Sequence, residues 1–125
     1  MEPTSKFILP GILFLFTLTF GFWLSRLGKP YNGLVFNIHK LVALAAVVFA
    51  AIRIYNLLKG ADIQPVVVTL AVVCVLCVIA LFATGAFMSI GNLPHAPLLT
   101  VHKVALVVLS FSAVGMVYFL IAKPQ

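Results

Sequence analysis

Polar residues in this chain come in short clusters, and long apolar runs separate them. The runs cover 7–24, 41–52 with its apolar flank, 65–90 and 98–122, and the polar breaks read "SRLGKPYN", "KGADIQ" and "GNLPHAP". Crossing the hydrocarbon core of a bilayer takes about 20 mostly apolar residues in a helix. The pattern therefore predicts four transmembrane helices, near 6–26, 33–58, 65–90 and 97–122. Gly and Pro punctuate each break. Linkers this short force neighbouring helices to run antiparallel. The expected fold is all-α, a four-helix transmembrane bundle in up-down-up-down order, forming one domain over 1–125.

Composition agrees with the pattern. The 125 residues are 64% hydrophobic and 8% charged, and mean hydropathy is +1.26. A soluble domain of this size has too little interior to hide so much apolar surface. The first run has Lys6 before it, as a secretion signal would. It is nevertheless expected to be a retained helix, because Trp23 and Arg26 stand where small cleavage-site residues would be needed.

The net charge of +6 does not point to nucleic acid. Lys6, Arg26, Lys29, Arg53, Lys59 and Lys123 fall at helix ends, the pattern of interfacial anchoring. Leaving out Lys40 and Lys103, four of these charges lie on the side of the termini and two on the other. The positive-inside rule then puts both termini in the cytoplasm, and the expected location is a bacterial inner membrane. Cys74 and Cys77 form a C-x-x-C near the middle of the third run. There a thiolate is disfavoured, no second cysteine pair exists to exchange with, and Val78 stands where covalent haem attachment needs histidine. Packing is the expected role.

Within this background the chain repeats itself. An offset of 63 superposes His39 on His102, Lys40 on Lys103, Tyr55 on Tyr118 and Asn37 on Thr100. An offset of 64 superposes "FGFWLS" on "TGAFMS", which pairs Gly21 with Gly85 and Ser25 with Ser89. The chain reads as two copies of one helical hairpin, an arrangement known in membrane folds. Each histidine falls about six residues into its helix, roughly 9 Å below the same membrane face by helix rise. Each glycine falls at the same depth from the other direction. Two histidines and two glycines are thus expected in one layer. Glycine allows bulky groups near the backbone, and an ionisable residue inside a membrane is a functional candidate by default. A structural reading stands beside it, in which each histidine hydrogen-bonds a neighbouring helix.

Zinc or copper would want further ligands. Cys74 and Cys77 lie too deep for that, and Glu2 and Asp62 are at the opposite face. A haem needs two axial nitrogens, apolar walls and room for a flat ring. His39 and His102 would be the iron ligands, and Phe20, Phe22, Phe36 and Phe87 candidate walls. Lys40 and Lys103 stand near helix N-termini with side chains that tilt back toward the near face. They would either attract the two propionates or anchor their helices among headgroups. His95, in "GNLPHAP", is expected in an exposed loop on the haem side, or lining the entrance for a quinone or other redox partner.

Histidines on the second and fourth helices and glycines on the first and third resemble the membrane-bound cytochrome b pattern. That resemblance implies b-type haem, axial histidines at His39 and His102, and ring space at Gly21 and Gly85. Diheme members carry a second histidine about 13 or 14 residues further along each helix. Here those positions hold Ile52, Arg53, Gly115 and Met116, so one haem b per chain is implied.

The expected function is single-electron transfer between this haem and a quinone or redox protein. Whether that makes the chain an enzyme, an oxidoreductase, depends on its partner. A homo-oligomer is compatible with the reading, and lipid surrounds it either way. The alternative is a cofactor-free transporter or scaffolding subunit. Small multidrug antiporters of similar length need a carboxylate in the first helix, and 7–24 contains none.

Overall fold

The computed structural model describes residues 7–27, 33–59 and 63–122. Lys6, Lys29, Lys123, Glu2 and Asp62, which entered the charge and ligand arguments, lie outside the described residues. The fold is all-α. Four helices follow in order: α1 (Ile8–Leu27), α2 (Gly33–Leu58), α3 (Pro65–Ile90) and α4 (His95–Ala122). Among the described residues there is no strand. All four are long and apolar enough to cross a membrane, and the chain is an integral membrane protein by that measure.

Local chemistry explains the ends. Pro65 opens α3 from an extended Gln64, a position where its missing N–H would have no helical partner anyway. Gly91 closes α3 at φ 80°, with its N–H on the Phe87 carbonyl at 3.3 Å. That left-handed cap suits glycine, which lacks the Cβ that would clash. α4 begins two residues earlier than the sequence pattern suggests. Pro97 sits inside its first turn, where no intrahelical N–H is required. His95 is therefore the first residue of α4, half-buried, and not a loop residue; the loop expectation is corrected here.

The chain falls into two units, Met1–Ala61 and Asp62–Gln125. Each is one hairpin: α1 packs on α2, and α3 packs on α4. The boundary coincides with the junction between the two expected copies. In the second hairpin a Cβ at Gly115 would lie 3.5 Å from the Leu70 side chain, so α4 rides close to α3 far from the connecting turn.

Polarity is distributed as a bilayer requires. Phe111 is 77% exposed and Leu34 71%, whereas Thr84 is only 6% exposed. The hydroxyls of Thr17, Thr19, Thr69, Thr84, Thr100 and Ser110 each donate to the carbonyl four residues back. This satisfies them inside their own helix, where lipid offers no partner. Cations stand over aromatic rings at the helix ends: Arg26 over Phe22 at 5.8 Å and Lys59 over Tyr55 at 5.9 Å. The Cys74 and Cys77 thiols are free on α3, half-buried and buried respectively.

Candidate functional site

In the first hairpin the site is built on His39. It stands six residues after Gly33, where α2 begins, and Gly21 stands six residues before Leu27, where α1 ends. Antiparallel packing brings the two together. The edge of the imidazole comes so close to α1 that a Cβ at Gly21 would meet its Cε1 at 2.8 Å and its Nδ1 at 3.3 Å. The space that glycine leaves at this depth is taken by the histidine ring itself. Nδ1 is 2.9 Å from the Thr17 carbonyl oxygen. A carbonyl oxygen only accepts, so Nδ1 carries the proton and donates it. In the neutral ring the lone pair is then on Nε2.

The second hairpin makes the same seat with one added atom. His102 faces Gly85, but a Cβ there would lie 3.7 Å from Cε1, an ordinary contact. Its Nδ1 is 2.8 Å from the Thr84 hydroxyl oxygen. That oxygen is in turn 2.7 Å from the Ala80 carbonyl and 3.2 Å from the Leu81 carbonyl. A hydroxyl this close to carbonyl oxygens must place its single proton between them, or lone pairs would face each other. It therefore accepts from Nδ1–H. His102 carries its lone pair on Nε2 as well.

The two seats correspond residue by residue. Thr17 is four residues before Gly21, and Leu81 is four before Gly85. In one hairpin the imidazole donates to that carbonyl directly; in the other it donates to a hydroxyl resting on the equivalent carbonyl and its neighbour. The inserted oxygen comes from Thr84, where the first hairpin has Phe20. It also accounts for the looser contact at Gly85, because the ring is held about one atom further out.

Lys40 behaves as its place in α2 dictates. Its Nζ is 5.3 Å from the centre of the Phe36 ring, one turn nearer the N-terminus. A cation–π contact of this kind holds the ammonium toward the membrane face and away from mid-bilayer. Lys103 is exposed on α4. His95 opens α4, seven residues before His102. Of the expected site residues, the structure brings together His39 with Gly21 and His102 with Gly85, each within its own hairpin.

Sequence reasoning missed the two hydrogen-bond acceptors. Thr17 acts through its backbone, which no side-chain pattern reveals. Thr84 had a signal: a hydroxyl beside Gly85 where the aligned copy has phenylalanine. Among the described residues, no three His, Cys, Asp or Glu side chains form a group able to hold a metal ion. No protein-family model, curated protein or solved structure matches this chain.

Proposed function

We propose that the chain is a b-type membrane cytochrome, with His39 and His102 each supplying one axial nitrogen to a single haem. One observation carries the reading: each hairpin holds its histidine with Nδ1–H committed to the partner helix, which leaves the lone pair on Nε2. Metal-ligating histidines are ordinarily oriented in this way, by a carbonyl or other acceptor on the second ring nitrogen. The two acceptors set the ring planes and the tautomer. Gly21 and Gly85 admit the imidazole rings to the helix surface, and Lys40 and Lys103 follow the histidines in sequence; the Lys40 ammonium is drawn toward the membrane face over Phe36, the side on which propionates would need cations. A haem held by His39 and His102 would supply one-electron chemistry between ferric and ferrous iron.

A quinone or a redox protein at the turn side is the partner, and His95, at the start of α4, lies toward that side. The location is a bacterial inner membrane with the termini in the cytoplasm. The purified protein should show a Soret band and, on reduction, sharp α and β bands. A colourless protein that stays colourless after incubation with haemin would end this reading.

Position in the bilayer gives a second expected result. By helix rise, His39 lies about 9 Å and His102 about 10.5 Å from the turn-side helix ends, which leaves roughly 20 Å of hydrocarbon to the other face. No second histidine pair spans that distance. In sealed vesicles a membrane-impermeant reductant should therefore reduce the haem rapidly from the turn side only. Equal rates from both sides would contradict a single haem near one face.

The competing reading is a cofactor-free scaffolding subunit or transporter. It is favoured by the same hydrogen bonds, since each imidazole already ties its own hairpin together. The colour test separates the two.

A further inference from the structure

We infer that Thr84 is a positioning residue for His102, supplying through its hydroxyl the acceptor that the Thr17 backbone supplies to His39. Thr84 is 6% exposed, and its oxygen sits 2.8 Å from the His102 Nδ1. The helix could satisfy a threonine hydroxyl without any imidazole, as Thr69 does on Pro65 in the same helix. What distinguishes Thr84 is that its lone pairs face a ring nitrogen across the hairpin. With its proton committed to the Ala80 and Leu81 carbonyls, the oxygen is a one-way acceptor. It selects the Nδ1–H form of His102, just as a carbonyl would.

The two hairpins therefore solve one problem by different means. In the first, His39 presses against Gly21 and reaches the backbone. In the second, the ring stands off from Gly85 and a side chain fills the gap. Only the second device can be removed by substitution, so the Nδ1 acceptor of His102 can be tested by changing one side chain, whereas that of His39 cannot. In its consequence for a haem this inference rests on the ligand reading above; the hydrogen bond and the tautomer do not.

The test uses the full-length protein without haem, labelled with 15N at histidine. In the wild type, both His39 and His102 should show a protonated Nδ1 and an unprotonated Nε2 in their neutral forms. Thr84→Val should remove this preference at His102, moving its Nε2 signal toward the protonated type, and leave His39 as it was. Thr84→Ser should restore the wild-type pattern. An unchanged His102 in Thr84→Val, a change at both histidines, or no rescue by serine would each overturn the assignment. Haem affinity, measured separately, should fall about 10–100-fold in Thr84→Val, the usual effect of losing a residue that orients a metal ligand. If wild-type protein binds no haem while the tautomer shifts as described, the cytochrome reading fails and the role of Thr84 stands.

Discussion

His39→Ala and His102→Ala should each convert a low-spin haem spectrum to high spin or abolish haem binding, while the protein remains folded in the membrane. The magnitudes explain why the two effects separate. An interhelical hydrogen bond inside a membrane contributes about 0.6 kcal/mol on average and about 1.7 at most. The bonds from His39 to Thr17 and from His102 to Thr84 are of this kind, and alanine is the best helix former. Either hairpin should survive the loss. An axial ligand is a direct bond to the iron, so its loss should show in the spectrum at once. Added imidazole should restore the low-spin spectrum in either variant by filling the vacated position. His95→Ala should leave the spectrum alone. An unchanged low-spin spectrum in one of the two variants would remove that histidine from the ligand set. Unfolding of both variants with no spectral change before it would favour the cofactor-free reading.

Much of the scaffold was legible because bilayer physics leaves few choices. Two of the four helices have the bounds that the hydropathy pattern suggests, and the others differ by one or two residues at their ends. The shift at α4 has a local cause: Pro97 looks like a helix boundary in the sequence, yet a first turn tolerates it. Counting residues from the breaks put two histidines and two glycines at one depth; within each hairpin, antiparallel packing sets Gly21 against His39 and Gly85 against His102. What the counting does not convey is the atomic content of those contacts. A repeat read as identities treats Phe20 and Thr84 as noise. The structure makes that mismatch the difference between a direct and a relayed hydrogen bond. A backbone carbonyl as acceptor leaves no trace in the sequence at all.

That difference between the seats gives the last expected result, an unequal response to the same substitution. Gly21→Ala puts a Cβ 2.8 Å from Cε1 of His39, closer than real Cβ contacts come. A flexible side chain would swing aside, but this ring is pinned by Nδ1 on the Thr17 carbonyl at 2.9 Å. Either the hydrogen bond breaks or α1 and α2 move apart, and overpacking of this kind costs about 1–3 kcal/mol. Gly85→Ala meets only the His102 ring at 3.7 Å, an ordinary contact. Here the change brings better helix propensity, about 0.8–1.0 kcal/mol relative to glycine. Gly21→Ala should therefore lower both hairpin stability and haem content, and Gly85→Ala should preserve haem content and hold or raise stability. Haem per protein and resistance to detergent unfolding, measured side by side, test this. Equal losses in the two variants would show that both glycines face the same steric demand, such as a ring plane shared by both. Equal tolerance would mean that His39 can leave its seat on α1 without consequence, which would remove the Thr17 bond from any role in orienting it.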